Sequence, residues 1–338
     1  MNMLVIGGSG FIGTALIREL LMRGYSIRNF DKNPSVEFRK FSVIGDVRDQ
    51  EALNEELKGV DVVFNLAAEH RDDVTPVSLY YDVNLQGARN IVQSARLNNV
   101  KKIIFTSTVA VYGLNKHEPS EDSPLEPFND YSKSKLQAEN VFREWVEGGD
   151  GRSLVIVRPV VIFGEGNKGN VYTLIRQIVD KRFVMVGRGE NKKSMGYIGN
   201  MVKFLIQTIE LPPGVHVFNY ADKPDMTVKE LVEFIRTELG MNNSPLIKLP
   251  YFVGLLGGYA FDLLSKITGR KYPISSIRIK KFCATTTVST RALEEVNFNP
   301  PYTLKEGLRE MILSITLESN KNSLQMLDKG YEEERYGS

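Results

Sequence analysis

The chain has 338 residues, of which 42% are hydrophobic and 25% charged, a composition typical of a soluble globular protein with room for two lobes. Its formal net charge of +2 argues against a dedicated nucleic-acid-binding protein, which usually carries a larger basic excess. Cys283 is the single cysteine, so no intrachain disulfide is possible, and with only three histidines we expect no metal site. No run of about 20 apolar residues is present, so we predict no spanning helix. The chain starts in its first predicted strand, so we expect no signal peptide, and the single cysteine fits a reducing, cytoplasmic compartment.

The first predicted element is a strand at Met3–Ile6 that leads into a glycine-rich turn, Gly7–Gly13. A helix follows, because apolar residues recur at helical spacing from Ala15 to Leu21. A strand, a glycine turn and a helix in this order favour binding of a dinucleotide pyrophosphate at the helix N-terminus. The spacing G-x-x-G-x-x-G is a weak signal by itself, since glycine turns that bind nothing are common.

Asp31 strengthens this interpretation, because it directly follows the second predicted strand, Ile27–Phe30. It lies roughly 20 positions after Gly13, the distance at which an acidic side chain meets the ribose 2′-hydroxyl of a bound dinucleotide. A carboxylate there would repel a 2′-phosphate, so NAD is favoured over NADP, although Lys32 weakens that preference slightly.

Strands and helices continue to alternate through the first half of the chain, which predicts a doubly wound parallel sheet of the Rossmann α/β class. Ligands of such sheets bind at the carboxyl ends of the strands, where Gly7, Asp31, Ala67 and Ser107 fall. The remaining predicted strands are 41–46, 60–66, 102–107 and 153–157, and the predicted helices are 51–58, 82–98 and 136–145.

The pattern loosens after Pro159, which indicates a second, smaller lobe. We predict that residues 1–160 form the NAD-binding domain, with some later segments returning to it, and that 161–315 are mainly a substrate-binding lobe. The polar residues 316–338 are predicted to be a solvated tail. In the smaller lobe we expect helices at 170–181 and 228–239 and strands near 183–186 and 215–220.

Tyr131 and Lys135 stand four residues apart near the start of a predicted helix, so they share one helix face. An ammonium group near the phenol would favour the phenolate and lower the pKa of Tyr131 from its ordinary value near 10. Tyr131 would then serve as a general base near neutral pH. Ser107 and Thr108 end the fifth strand, and either hydroxyl could bind a substrate oxygen and relay its proton to Tyr131. Each motif alone also fits a solvated helix face or ordinary strand-end capping.

Together these motifs resemble the extended short-chain dehydrogenase/reductases of the NAD-dependent sugar epimerase/dehydratase group, over nearly the whole chain. The resemblance implies bound NAD, with Tyr131 as the acid/base, Lys135 on the ribose and an assisting hydroxyl at Thr108. It also implies a homodimer formed through helices 82–98 and 133–145. The NAD-binding residues that it implies are Gly7, Gly10, Phe11, Ile12, Gly13, Asp31, Lys32, Asp46, Val47, Leu66, Ala67, Ala68, Ser107, Tyr131, Lys135 and Pro159.

The residues after Thr108 narrow the reaction that the resemblance implies. Family dehydratases place an Asp-Glu pair there, whereas this chain has Val109 and Ala110, so a 4,6-elimination lacks its acid and base. Epimerisation at C4 remains, in which a hydride is removed and then returned to the other face of a 4-ketose. A small residue at Thr285 would leave room for an N-acetyl group. The substrate-binding residues that the resemblance implies are Thr108, Asn170, Lys193, Arg278 and Thr285.

Residues 246–268 are unusually apolar, and a basic stretch without acids lies between Asp262 and Glu294. From the residues alone we favour a buried helix that packs the smaller lobe beside an anion pocket. The less favoured alternative is an interfacial membrane contact, which requires an apolar stretch beside a basic cluster.

A second resemblance covers the segments 70–73, 110–117 and 282–286, which are similar to bacterial epimerases acting on N-acetylglucosamine linked through diphosphate to undecaprenol. It implies interconversion of GlcNAc and GalNAc on that carrier during surface-polysaccharide synthesis, with peripheral contact at the cytoplasmic face of the inner membrane. The alternatives are epimerisation of a soluble UDP-sugar and a dehydrogenase or reductase that releases its keto product. The Tyr131–Lys135 pair disfavours a regulator with an inactive site.

Overall fold

The computed structural model describes residues 1–71, 74–114, 116–241, 245–270, 272 and 274–319. The chain divides into two compact units. The first comprises Met1–Ile162, Gly196–Asp222 and Thr287–Tyr302, and the second comprises Phe163–Met195, Lys223–Thr286 and the chain from Thr303. Most of the predicted tail, and parts of the segments 70–73 and 110–117, lie outside the described residues.

A parallel sheet of seven strands is the framework of the first unit. The strands of the described chain are β1 (Asn2–Ile6), β2 (Ser26–Asp31), β3 (Ser42–Ile44), β4 (Val62–Asn65), β5 (Lys102–Thr106), β6 (Ser153–Pro159), β7 (Val161–Phe163), β8 (Met185–Val186), β9 (Lys192–Tyr197), β10 (Gly214–Tyr220), β11 (Asp222–Thr227) and β12 (Lys248–Leu249). The large sheet has the order β10–β6–β5–β4–β1–β2–β3, and two small sheets have the orders β11–β9–β7 and β12–β8. The direction of strand addition reverses between β1 and β4, the place where such sheets bind ligands.

Twelve helices occur in the described chain. They are α1 (Phe11–Met22), α2 (Gln50–Glu56), α3 (Ser78–Tyr80), α4 (Gly87–Leu97), α5 (Asp130–Glu147), α6 (Asn170–Val179), α7 (Ile198–Gln207), α8 (Val228–Glu238), α9 (Tyr251–Thr268), α10 (Ser276–Cys283), α11 (Arg291–Glu295) and α12 (304–319). A π-helical turn, Tyr81–Gln86, joins α3 to α4. Short 3₁₀ turns occupy Arg39–Phe41, Val109–Tyr112 and Thr208–Glu210.

Both faces of the large sheet are covered by apolar side chains, which explains why its central strands are continuous hydrophobic runs. One core cluster joins Leu16 of α1 to Phe204 of α7, and the other joins Ile91 of α4 to Trp145 of α5. This arrangement confirms the predicted doubly wound Rossmann fold.

One strand lies elsewhere than expected. The strand near 215–220 was predicted in the smaller lobe, but β10 pairs in parallel with β6, with Val217 opposite Ile156. It therefore forms an edge of the large sheet. Local periodicity gives a strand's existence, whereas its partner is fixed by long-range pairing that the periodicity does not encode.

The expectation of a buried helix within 246–268 is also wrong. Gly254 and Gly258 are the buried residues of α9, and most of its large apolar side chains are exposed. The glycines permit a close approach of α9 to its neighbours, so the small side chains occupy the inner face. Across the described residues, no helix has the length and apolar character needed to cross a membrane.

Candidate active site

The turn between β1 and α1 has the geometry of a pyrophosphate cradle. Gly7 has φ +81°, and a Cβ placed there would lie 2.7 Å from the backbone nitrogen of Ala67, so only glycine fits. Gly10 is the N-cap of α1, and in this described segment no side-chain hydrogen bond caps the helix. The first-turn N–H groups therefore face outward beside a positive dipole end, as an anionic pyrophosphate requires. Phe11 and Ile12 begin the helix and pack partly against the core, which fixes its entry angle.

Asp31 lies at the carboxyl end of β2, held by two backbone donors. Its carboxylate accepts hydrogen bonds from the Ser9 amide at 3.0 Å and from the Asn33 amide at 2.8 Å. These contacts orient the carboxylate beside the glycine turn, where it fits a ribose hydroxyl and repels a 2′-phosphate. Lys32 is exposed next to it.

Asp46 and Val47 follow β3 and lie on the same side of the sheet as Asp31. The Arg48 guanidinium binds the Asp46 carboxylate at 2.7 Å, and this hydrogen bond holds the pKa of Asp46 below its ordinary value. The carbonyl of buried Val47 accepts from Asn90 at 2.9 Å. These contacts fix both residues, and their binding of NAD stays a prediction.

The ends of β4, β5 and β6 complete the predicted dinucleotide site. Leu66, Ala67 and Ala68 follow β4 and are partly buried, and Pro159 ends β6. Ser107 is buried, and its Oγ belongs to the few buried side-chain polar atoms of the described chain without a hydrogen-bond partner. Such an atom at a strand end fits a site that a polar ligand completes. The residues present therefore fit a dinucleotide.

Thr108 and Tyr131 are brought together, as predicted. Tyr131 lies in the first turn of α5, where a capping box between Asn129 and Ser132 fixes the start of the helix. The Thr108 hydroxyl is within hydrogen-bonding reach of the Tyr131 phenol. Thr108 is itself held at the start of a 3₁₀ turn, since its Oγ1 accepts from the Ala110 amide at 3.2 Å. A hydroxyl relay to the phenol is therefore in place.

The predicted lowering of the Tyr131 pKa is wrong for this structure. Burial raises the pKa of Tyr131 above 10, and the hydrogen bond from Thr108 only partly opposes that effect. The phenol of Tyr80 adds to the rise through electrostatic repulsion of a Tyr131 phenolate. The ring centroids of the two tyrosines are 6.3 Å apart. The expectation considered Lys135 alone and not the desolvation that the surrounding fold imposes on the phenol.

Lys135 is almost fully buried on the same helix, with Nζ 4.2 Å from the centre of the Phe105 ring. Burial lowers the pKa of Lys135 to about 7, and the nearby carboxylate of Glu139 opposes this. Glu139 is in turn held by Arg158 of β6, at 3.0 and 2.7 Å between the guanidinium and the two carboxylate oxygens. Lys135, Glu139 and Arg158 thus form a buried cluster of ionisable side chains on α5 and β6.

Neither this cluster nor Asn84, whose amide supports the start of α5 through Ser134, was predicted from the sequence. The Asn84 amide lies in the π-helical turn, donates to the Glu69 carbonyl at 3.0 Å and donates to the Ser134 hydroxyl at 2.9 Å. Ser134 in turn donates to the Tyr131 carbonyl at 2.8 Å. Glu139 carries one sequence signal, its position four residues after Lys135, whereas Asn84 is visible only through the π-helical turn.

The predicted substrate residues other than Thr108 lie in the second unit. Lys193 donates to the carbonyls of Lys281 and Ala284 at 2.9 and 2.5 Å, and burial lowers its pKa to about 8. Thr285 is close by, because its hydroxyl accepts from the Lys192 amide at 3.4 Å. The structure thus brings Lys193 and Thr285 together.

Arg278 and Asn170 are the other two predicted substrate residues. Arg278 is exposed on α10, and Asn170 is exposed as the first residue of α6. Their binding role stays a prediction.

The residues of the first unit can therefore bind a dinucleotide and move a proton beside it. A phenol, a hydroxyl that reaches it and a buried ammonium stand at the carboxyl ends of β5 and on α5. Among the described residues, no cluster of three His, Cys, Asp or Glu side chains could hold a metal ion.

Comparison with known proteins identifies the family of the chain. The chain is 53% identical over 309 residues to N-acetyl-alpha-D-glucosaminyl-diphospho-ditrans,octacis-undecaprenol 4-epimerase of Escherichia coli O157:H7, covering 91% of this chain and 93% of that protein. It is 26% identical over 337 residues to UDP-glucose 4-epimerase of Vibrio cholerae, covering 95% and 97%.

Solved structures show the same fold. UDP-glucose 4-epimerase of Thermotoga maritima with UDP-glucose matches with a TM-score of 0.75 and 21% identity, covering 94% and 99% of the two chains. UDP-glucuronic acid 4-epimerase of Bacillus cereus with NAD matches with a TM-score of 0.73 and 19% identity, covering 94% and 99%. The model of the NAD dependent epimerase/dehydratase family matches residues 3–221. The chain therefore belongs to the NAD dependent epimerase/dehydratase family, and the predictions of that family and of NAD as its cofactor are confirmed.

Proposed function

We propose that this protein epimerises C4 of N-acetylglucosamine carried on undecaprenyl diphosphate, to give the N-acetylgalactosamine form, and that it uses NAD. The carrying observation is the 53% identity over 91% of the chain to the enzyme named for that reaction. The pairing of Thr108 with Tyr131 and the buried Lys135 supply the groups that the reaction needs.

Tyr131 acts on the proton of the C4 hydroxyl. In the free protein its raised pKa keeps the phenol protonated at neutral pH, the form that returns a proton to the C4 oxygen. The hydrogen bond from Thr108 favours the phenolate form, which takes the proton in the first half of the reaction. Bound NAD supplies a hydride acceptor that later returns the hydride.

We assign Lys135 to the ribose hydroxyls of NAD. It lies one helical turn after Tyr131 on α5, and its ammonium is held away from water over the Phe105 ring. Hydrogen bonds from that nitrogen would fix the cofactor beside the phenol.

Val109 and Ala110 favour epimerisation over elimination. They follow Thr108 directly in a 3₁₀ turn, so this turn carries no carboxylate that could protonate or deprotonate C5 and C6. For the substrate we keep the predicted contacts: Thr285 beside the N-acetyl group, and Asn170, Lys193 and Arg278 on the diphosphate. Lys193 gives up its two carbonyl partners only for a stronger anionic partner, which a diphosphate provides.

The test supplies the full-length protein with undecaprenyl-diphospho-GlcNAc in detergent and, separately, with UDP-GlcNAc. The C4 configuration of the released sugar is then determined. We expect conversion of the lipid-linked sugar without net NADH. Absence of conversion on the lipid-linked sugar, with or without conversion of UDP-GlcNAc, would overturn the proposal.

A second candidate function is 4-epimerisation of a UDP-sugar, and one observation favours it. The alignment with the Vibrio cholerae UDP-glucose 4-epimerase covers nearly the full length of both chains. We rank it second because its 26% identity is about half that of the undecaprenol-linked relative.

The lipid-linked substrate places the enzyme at a membrane surface, so we also propose peripheral association with the cytoplasmic face of the inner membrane. The substrate's lipid stays in the bilayer while its diphospho-sugar reaches the site. Recovery of the native enzyme in the membrane fraction at low salt, and its release at high salt, is the expected result.

We further propose a homodimer formed through α4 and α5. A groove between these helices is lined by four apolar residues and six polar or charged ones, and its apolar Leu97 is 68% exposed. The apolar lining residues are Leu85, Val92, Leu97 and Val141, and the polar ones are Arg89, Gln93, Arg96, Gln137, Asn140 and Glu144. Leu97→Glu should convert the dimer to a monomer in light scattering. A monomeric wild-type protein would contradict the proposal.

A further inference from the structure

The orientation of α9 is the reverse of that of an ordinary surface helix. Its buried residues are Gly254 and Gly258. A Cβ at Gly258 would lie 2.8 Å from the backbone of Ser276, and one at Gly254 would lie 2.5 Å from Val186. The small residues thus let α9 pack tightly on α10 and β8, and the large apolar side chains are left on the other face.

These apolar side chains form one stripe. Successive residues of an α-helix are separated by about 100°, so residues at spacings of three, four or multiples of seven share a face. Leu256 is 64% exposed and Ile267 is 73% exposed. The members of the stripe are Phe252, Leu256, Tyr259, Leu263 and Ile267. Ile277 on α10 and Ile274 just before it are apolar and exposed as well.

Cations border the stripe. The Lys280 ammonium lies 5.3 Å from the centre of the Tyr259 ring, so it stands at the edge of the apolar surface. Exposed Lys266, Arg270 and Lys281 add to the positive charge. Asp262 is the one acidic residue between 251 and 286. Its carboxylate joins α9 to α10, because it accepts a hydrogen bond from the Ser276 amide at 3.2 Å.

We infer that the helical hairpin of α9 and α10 is a membrane-docking element. The α9 stripe enters the interfacial region of an anionic bilayer, and the bordering lysines and arginines bind lipid phosphates. An apolar face flanked by cations is the pattern of helices that lie in the plane of a bilayer surface. The inference deepens the proposed function and rests on it for its purpose, because the lipid-linked substrate lies in that bilayer.

Charge favours a bilayer over a second copy of this chain as the partner that covers the α9 stripe. Two hairpins pressed face to face would bring their cations together with one acidic residue each, and that acid is already bonded. An anionic lipid surface neutralises the same cations and covers the stripe at once.

The test measures sedimentation of the full-length protein with vesicles of phosphatidylglycerol and phosphatidylcholine, and with vesicles of phosphatidylcholine alone. The variant Leu256→Ser/Leu263→Ser removes apolar contact from the stripe. The matched control is Leu313→Ser, because Leu313 is 56% exposed on α12 of the same unit. A second variant, Lys280→Gln/Lys281→Gln, removes charge.

We expect the wild type and the control to bind the anionic vesicles, and each double variant to bind at least tenfold more weakly with an unchanged thermal unfolding midpoint. Binding should fall with added salt. Wild-type protein that stays in solution, or double variants that bind as the wild type does, would overturn the inference. A wild-type oligomer that Leu256→Ser/Leu263→Ser dissociates would identify a second copy as the occupant and overturn it as well.

Epimerase activity on the detergent-dissolved substrate is measured in parallel. Vesicle binding without conversion supports the docking element while the proposed function fails. Conversion without vesicle binding supports the proposed function and contradicts the docking element. The failure of one proposal can therefore be told from the failure of the other.

Discussion

Helices α5 and α9 are both 18 residues long, and each violates the usual sorting of side chains in its own way. Helix α5 buries a lysine and a glutamate, Lys135 and Glu139, whereas α9 leaves leucines and a phenylalanine exposed and buries glycines. The burial of charge on α5 is stabilised by an ion pair and hydrogen bonds. For the exposed apolar surface of α9 we propose an anionic bilayer as the partner. The comparison teaches that departures from sorting by polarity point to function when each has a specific structural cause.

Loss of the Tyr131 phenol on α5 is the change that should reduce turnover most. Tyr131→Phe removes the proton-transfer group, so turnover should fall about 10³-fold, within the range typical of a lost general acid/base. The phenyl ring keeps the packing against Tyr80, so NAD should stay bound. Turnover is measured on the lipid-linked substrate, and NAD content is measured after denaturation. Tyr302→Phe, which removes the phenol of a 44% exposed tyrosine that packs against Tyr197, is the control. An active Tyr131→Phe enzyme would disprove the assigned role.

A second substitution tests whether Arg158 and the buried Glu139 of α5 stabilise the fold as an ion pair. Glu139→Gln leaves the Arg158 guanidinium buried without its carboxylate, so the free energy of unfolding should fall by about 3–5 kcal/mol. Glu37→Gln, which breaks the exposed pair with Arg18, should cost under about 1 kcal/mol. Urea unfolding measures both variants. Equal losses would show that Glu139 and Arg158 contribute no more than a surface pair.

The buried lysine of α5 should also give stability a pH dependence. The pKa of Lys135 is about 7 in the folded protein against an ordinary value of 10.5, so between these values the unfolded chain binds more protons. Stability contributed at this site therefore rises with pH from about 7 toward 10.5, with a slope of at most about 1.4 kcal/mol per pH unit.

The measurement compares wild type with Lys135→Met by urea unfolding at pH 7, 8 and 9. The stability difference should shift in favour of the wild type as pH rises. Lys133→Met, which changes an exposed lysine of the same helix, should show no such trend. A flat difference for Lys135→Met would mean that the ammonium is not desolvated.

The parts of the site that the sequence predicted are those whose chemistry fixes a short spacing. A glycine turn must follow its strand directly, an acid must end the next strand, and Tyr131 and Lys135 must be one helical turn apart. Each relation lies within one element or at the ends of neighbouring strands. The fold class followed for the same reason, since alternating strands and helices are a local pattern.

What the sequence did not predict depends on contacts between distant segments. Arg158 lies on β6 and meets Glu139 of α5 only in the folded chain, and the raised pKa of Tyr131 comes from surroundings that spacing does not describe. The orientation of α9 is a third case. An apolar run predicts that the apolar side chains of a helix are covered, but it does not show whether the rest of the protein or an external surface covers them.

Two adjacent glycines of α9, Gly257 and Gly258, test which face of that helix is packed. Gly258→Ala places a methyl group 2.8 Å from the Ser276 backbone, so α9 must shift away from α10, at a cost of about 1–3 kcal/mol. At Gly257 a Cβ meets nothing within 4 Å, so Gly257→Ala should instead stabilise the helix by up to about 1 kcal/mol. Hydrogen exchange of the α9 amides in each variant measures the two effects. Opposite signs at these neighbouring positions would show that the face of α9 carrying Gly258 is packed against α10, which leaves the apolar stripe on the exposed face. Equal signs would contradict that assignment.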